Sequence, residues 1–261
     1  MKLAAVGDNC MDVYDNIGQE FAGGGPVNMA VYFVRLGGEA SYTGAVGNDT
    51  YGEFMKEQIV KKGVDISHLH VLNGNTAVTH VELKNGERIL GEYDEGVLSD
   101  FRLSEEDKRF LLTHDMLTTS LWGNVHGDLK ELHDRGMKIA FDAATRPEDD
   151  VAVIAAAASD YFFFSSDEAD TKELRETMKK IWNRGPKMVI ATLGEQGSVA
   201  FDGKAYTTFG IVPCEVEDTM GAGDSYIAGF LKGILEEKPM EECMKMGAYN
   251  SSITLGYKGA W

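Results

Sequence analysis

Residues 218–224 read DTMGAGD: two glycines close together, an acid at each end and no lysine. In the run that follows, DSYIAGFLKGILEE, Tyr226, Phe230 and Ile234 recur every four residues, as do Ile227, Leu231 and Leu235. That periodicity predicts an amphipathic helix beginning near Gly221. The glycines leave its first-turn N–H groups bare, and such a helix start attracts an anion, with the helix dipole adding to the effect. Asp224 stands in that first turn, where a carboxylate can take the proton of a hydroxyl as it attacks a phosphoryl group. The stretch alone equally fits a glycine-rich turn with an acid favouring the helix N-terminus. Without a following lysine it is not a Walker loop. Gly221 and Gly223 lack the third glycine of a dinucleotide fingerprint, and no acid-bearing loop has the EF-hand pattern.

Two other stretches could serve such chemistry. In AGGGPVNMAVYFVRLGG, Gly23, Gly24 and Gly25 precede Pro26, a favoured first helical residue. Asn28 then falls near the helix mouth, where its amide could hold sugar hydroxyls; alone, it reads as an ordinary polar residue at a helix entry. TLGEQGS, residues 192–198, ends a predicted strand, and its glycines allow backbone to approach a flat ligand or a phosphate. Many hairpin turns look the same. His68, His70 and His80 have no companion at a metal-site spacing and are expected to face solvent or to pack. Trp122, at a strand end, is expected to pack in the core.

Further constraints come from the whole chain. Its 261 residues are 43% hydrophobic and 26% charged, enough for a sizeable core. A net charge of −17, with no long basic run, argues against nucleic acid and anionic membranes as partners. Cys10, Cys214 and Cys243 form no C-x-x-C pair and cannot all pair within the chain, which suits a reducing compartment. The apolar run of MKLAAVGDN stops at Gly7, unlike a secretory signal, and the VAVIAAAASDYFFF stretch is broken by Ser159 and Asp160. The expected location is the cytoplasm.

These residues need elements to position them. From about residue 100 short β-prone runs alternate with helical ones: DMLTTSLW, GDLKELHDRG, MKIAFDA, EDDVAVIAAAA, SDYFFF, EADTKELRETMKKIWNRG and KMVIATLG. That rhythm predicts βαβ units, an α/β fold and a mostly parallel sheet. KLAAVGD reads as a first strand, and PVNMAVYFVRLGG and DTYGEFMKEQIVKKG as helices closed by glycine. MDVYDNIGQEFAGG and NTAVTHVELKNGERILGEYDEG read as short antiparallel strands, the second a hairpin around Asn85 and Gly86. With few helices to cover them, these strands could form a small lid or an association surface.

Together the motifs resemble those of the ribokinase-like carbohydrate kinase family. The glycine cluster with Asn28 is similar to its sugar-binding signature, DTMGAGD to its D-T-x-G-A-G-D signature, and TLGEQGS to its nucleotide-binding segment. Order and spacing fit over essentially the whole chain. The resemblance implies a three-layer sandwich formed by one domain, residues 1–261, with β lid segments at about 12–22 and 75–96. It implies ATP, Mg²⁺ and in-line transfer of the γ-phosphoryl group to a primary hydroxyl. By position, Asp224 is the catalytic base, and Gly221, Ala222 and Gly223 form the anion hole. Asp12, Gly24 and Asn28 hold sugar hydroxyls, and Thr192, Gly194, Gly197 and Asn250 line the nucleotide. The family's N-x-x-E stretch is here SSDE: Ser165 replaces the asparagine, and Glu168 organises Mg²⁺-bound water. Ser-x-x-Glu is also a helix capping box. Many relatives bind a monovalent cation such as K⁺ near the anion-hole loop, which would implicate Asp218.

Within the family, VGDNCMDVY, GVDISHLH, GEYDEGV and KGAW look most like kinases of fructosamine-type sugars. Such a substrate is cationic, and Asp8 and Glu92 are the acids that could favour it; Asp94 and Glu95 read as surface charges. Alternative acceptors are ribose, fructose, a keto-deoxy sugar acid or a nucleoside. A non-catalytic sugar sensor and a Rossmann-type oxidoreductase are the other classes of reading. Pairing of lids predicts a homodimer.

Overall fold

The computed structural model describes residues 1–84 and 87–261. The hairpin tip expected at Asn85 and Gly86 lies outside the described residues.

Thirteen strands and eight helices are arranged around one large sheet and one small one among the described residues. The strands are β1 (Lys2–Gly7), β2 (Cys10–Tyr14), β3 (Gln19–Gly23), β4 (Glu39–Gly47), β5 (Leu69–Leu72), β6 (Val78–Lys84), β7 (Glu87–Asp94), β8 (Met116–Ser120), β9 (Ile139–Asp142), β10 (Tyr161–Ser165), β11 (Met188–Thr192), β12 (Ser198–Phe201) and β13 (Tyr206–Phe209). The helices are α1 (Gly25–Arg35), α2 (Thr50–Lys61), α3 (Glu105–Leu111), α4 (His126–Asp134), α5 (Asp150–Ala156), α6 (Lys172–Trp182), α7 (Ala222–Leu235) and α8 (Met240–Thr254). The large sheet runs β13-β12-β11-β10-β9-β8-β1-β4-β5. Its strands pair in parallel except at β11–β12 and β12–β13.

The alternation of side chains along β1 explains the layers. Ala4 and Val6 join a core that includes Leu129 and Leu132 of α4, Ala152 of α5, and Leu174 and Met178 of α6. Leu3 and Ala5 join the opposite core, with Val27 of α1, Met55 of α2, Phe230 of α7 and Met244 of α8. Such a strand is buried on both faces and reads as a continuous apolar run, as in a parallel sheet. The α/β rhythm read from residue 100 onward is present. β4, β5, α3, β12, β13 and α8 were not distinguished in the sequence. β4 carries Gly44 in its middle because a Cβ there would stand 2.1 Å from Tyr42 Oη and 2.5 Å from the Gly7 carbonyl.

The small sheet runs β3-β2-β6-β7, antiparallel except for the parallel β2–β6 pair. Tyr14 and Val81 of this sheet share a buried cluster with Met220 and Ala260, flanked by Phe21 and Trp261. The sheet therefore rests on the DTMGAGD loop and on the last residues of the chain. No helix among the described residues is long and apolar enough to cross a membrane.

Candidate active site

The C-terminal ends of the parallel strands lie along one edge of the large sheet, where ligand crevices form in α/β proteins. β1 leads to Asp8 there, β8 ends at Ser120, β9 at Asp142, β10 at Ser165 and β11 at Thr192. Three strand spacings, roughly 14 Å, separate the β8 position from that of β11.

At the β1–β8 end the predicted sugar residues converge. Asp8 is buried, and Ser120 Oγ donates to its Oδ1. Burial pushes the Asp8 carboxyl pKa up; the bond from Ser120 and the N–H groups of Asp8 and Gly25 oppose that shift. Asp12 on β2 is also buried, and Cys10 Sγ approaches its Oδ1 at 3.3 Å. Burial and the neighbouring Asp12 hold the Cys10 thiol well above its usual pKa. Gly24, with φ 107°, packs so closely that a Cβ would stand 2.4 Å from Asn9 Cα. α1 then begins with Gly25 and Pro26, which needs no helical N–H bond. This entry places Asn28, itself buried, with Nδ2 donating to Asp224 Oδ2 at 2.8 Å.

Asp224 belongs to the first turn of α7. The helix starts because Gly221 takes the left-handed conformation, φ 72°. A Cβ at Gly221 would lie 2.3 Å from Tyr32 Oη, whereas a Cβ at Gly223 would meet nothing within 4 Å. Ala222 is half-buried and its N–H donates to the Thr219 carbonyl at 3.3 Å, whereas Gly223 is exposed and its N–H, without an intrahelical acceptor, borders open space. That geometry fits an anion. On the other side Asp224 Oδ1 lies near Gly25, where a Cβ would stand 3.5 Å from Oδ1 and 3.6 Å from Ser120 Cβ.

At the β10–β11 end, Thr192 Oγ1 and Ser165 Oγ are 2.8 Å apart. Gly194, φ 55°, borders open space, while Gly197, φ 88°, packs against β13, where a Cβ would stand 2.1 Å from the Phe209 carbonyl oxygen. Glu168 is exposed on the loop after β10. The capping-box reading of Ser165 and Glu168 is corrected: α6 begins at Lys172, with Thr171 as its cap, Oγ1 accepting from Leu174 N. Glu168 N instead donates to Ser166 Oγ at 3.1 Å.

Two expected site residues are committed to the fold. Asn250 is buried; its Oδ1 accepts from the Arg35 guanidinium and its Nδ2 donates to the Ser225 carbonyl at 2.7 Å. Its amide is spent between α1, α7 and α8 and does not present itself to an adenine. Asp218 is fully buried; Oδ1 accepts from Met220 N at 2.9 Å, and Oδ2 from Tyr14 Oη at 2.8 Å and Gly259 N at 2.9 Å. Those donors join the DTMGAGD loop to the small sheet and the chain end. Glu92 is exposed, where Gly91 and Glu92 bulge opposite His80. It does not join the buried acids.

Trp122 is also corrected, being 44% exposed rather than packed in the core. His68 and His70 both bond Asp107, at 2.8 and 3.1 Å, and His80 pairs with Asp15. Three residues near the site were missed. Ser120 is the first. Asp142 is the second: burial raises its carboxyl pKa to about 6, with Asp8 adding to the shift. Tyr93 is the third, its phenol pKa pushed up by burial and then by Asp8 and Cys10. Position at a strand end was an available signal for Ser120 and Asp142; nothing local marked Tyr93.

A buried carboxamide and a half-buried carboxylate beside a glycine-opened helix start make a place for a hydroxyl to meet a phosphoryl group. Comparison with known proteins gives the family. The model of the pfkB family carbohydrate kinases matches residues 12–261. The chain is 41% identical to the fructoselysine 6-kinase of Shigella flexneri, covering 99% of both chains. It is 34% identical to the fructosamine kinase FrlD of Bacillus subtilis (strain 168), covering all of this chain and 93% of that one. The ribokinase of Arabidopsis thaliana, solved with ribose and ATP, superposes with a TM-score of 0.87 at 21% identity, covering 99% of this chain and 93% of that one. The fold, the loop and the full-length match agree, and the chain belongs to the pfkB family of carbohydrate kinases.

Proposed function

We propose that the protein transfers the γ-phosphoryl group of ATP to the 6-hydroxyl of a fructosamine-type sugar, fructoselysine giving fructoselysine 6-phosphate. The observation that carries the substrate is full-length similarity, at 34–41% identity, to proteins named for fructoselysine and fructosamine. Fructoselysine joins a ketose to the ε-nitrogen of lysine, and its amines are cationic near neutral pH. Buried acids at the acceptor end would favour such a charge over a neutral hexose.

In this reading Asp224 Oδ1 accepts the proton of the 6-hydroxyl while Asn28 holds Oδ2. A base so placed contributes about 10²–10⁴ in rate. The N–H groups of Gly221, Ala222 and Gly223 face the charge on the transferring group. Asp8, Asp12 and Asn28 orient the sugar, with Gly24 allowing the close approach, and Thr192, Gly194 and Gly197 border the nucleotide. Mg²⁺, when bound, neutralises phosphate charge; Glu168, exposed on the same edge, would hold one of its waters. The small sheet, at about residues 12–22 and 75–96 of the one domain, acts as a lid that keeps water from competing as acceptor. Its edge strands β3 and β7 would be covered if two copies paired through it.

The test is ADP release with ATP and Mg²⁺ from fructoselysine, fructose, ribose, 2-keto-3-deoxygluconate and adenosine. Strong preference for fructoselysine supports the reading. Preference for another acceptor keeps the kinase and discards the amine argument. Silence across the panel, in folded protein, discards the enzyme.

A further inference from the structure

A line of hydrogen bonds enters the site from Trp261. Its indole Nε1–H donates to Asn28 Oδ1 at 2.7 Å, and Asn28 Nδ2 donates to Asp224 Oδ2 at 2.8 Å. The segment that delivers the indole is held at several points. Gly259 N donates to Asp218 Oδ2 at 2.9 Å. The Ala260 carbonyl accepts from Tyr32 Oη and, at 3.0 Å, from Tyr257 Oη. Ala260 is buried against the small sheet, and Gly259 fits where a Cβ would stand 2.5 Å from the Phe21 ring. The Lys62 ammonium lies over the indole, 5.6 Å from its centroid.

The chemistry of the three groups gives this line a direction. An indole N–H only donates, whereas a carboxamide has one accepting and one donating end. Were Asn28 reversed, its NH₂ would meet the indole donor to donor, and its carbonyl oxygen would meet Asp224 Oδ2 acceptor to acceptor. The indole therefore selects the orientation of Asn28 that donates to the carboxylate. With Oδ2 held, the oxygen on the Gly25 side is Oδ1.

We propose that Trp261 is a positioning residue, which sets the Asn28 amide and through it aims Asp224 Oδ1 at the acceptor hydroxyl. The proposal rests on Asp224 being the base. Trp261→Phe keeps the ring and removes the donor. Its kcat should fall about tenfold, the worth of one hydrogen bond, with KM for ATP unchanged. In an Asn28→Ala background, which is itself slow, Trp261→Phe should cost nothing further. A merely structural indole would give additive losses in the double variant and a lower Tm, and that result would overturn the proposal. So would an undiminished kcat in Trp261→Phe. No turnover by the wild-type chain on any acceptor would instead remove the base itself, and the proposal with it. A second measurement does not depend on Trp261→Phe folding. The chain has three indoles, and one of their N–H signals should move in the nitrogen–proton spectrum of Asn28→Ala. If none moves, the bond is absent and the proposal fails.

Discussion

The two ends of the crevice are built differently. At the end proposed for the acceptor, Asp8, Asp12 and Asn28 are buried, and each bonds a neighbouring side chain: Ser120, Cys10 and Asp224 respectively. At the end proposed for the nucleotide, Glu168 is exposed and Gly194 borders open space. The first arrangement holds its shape before any ligand arrives, and desolvation strengthens its electrostatics. The second offers backbone and room. A kinase needs this division, since the acceptor oxygen must be aimed while the nucleotide must enter and leave.

Breaking the acceptor end should have the largest effect. Asp224→Asn is expected to lower kcat by about 10²–10⁴ while sugar binding measured by calorimetry is kept. Loss of binding in parallel with rate would instead make Asp224 a binding group.

A pair of glycine substitutions sharpens the contrast within one loop. Gly221→Ala forces a side chain into the left-handed region and against Tyr32, so it should cost about 1–3 kcal/mol and lower the Tm. Gly223→Ala meets no protein atom, so the Tm should hold. Its methyl would stand where the phosphoryl group is expected, and kcat should fall at least about tenfold. Equal kcat for Gly223→Ala and wild type would move the anion away from this helix start.

Asn250→Ala separates fold from nucleotide site. It strips acceptors from Arg35 and should cost about 2–3 kcal/mol, visible as a lower Tm, with KM for ATP unchanged. A raised KM at unchanged Tm would restore Asn250 to the nucleotide.

The smallest effect concerns pH. The Asp142 carboxyl titrates near 6 in the folded protein, above its ordinary 3.8, because burial disfavours its charge. Its contribution to stability is thus full below about pH 4 and lost as pH rises through 6. Asp142→Asn should therefore raise the Tm at pH 7–8, by a few degrees, and leave it unchanged below about pH 4. A uniform shift at all pH values would point to packing instead.

How much of this was legible in the sequence follows the same division. DTMGAGD was readable because its glycines answer backbone needs that lie within one turn, namely the left-handed Gly221 and the open Gly223. The βαβ rhythm was readable because each period is local. Ser120, Asp142 and Tyr93 meet Asp8 only through the strand order β9-β8-β1 and the seating of the small sheet. No local pattern encodes that order. Asn250 was assigned to a ligand because a polar residue near a motif looks the same whether it faces a ligand or closes a buried network. The SSDE stretch matched a capping box, but the helix it was to cap starts only at Lys172.

The central claim is that the acceptor is a fructosamine-type sugar phosphorylated at its 6-hydroxyl. It is tested most directly by offering fructoselysine and fructose together, at equal concentration, with ATP and Mg²⁺. The products would be identified by phosphorus NMR. The account predicts that fructoselysine 6-phosphate accumulates first and that fructose is consumed only after fructoselysine is exhausted. Phosphorylation of both sugars at equal rates, or at another hydroxyl of fructoselysine, would contradict it.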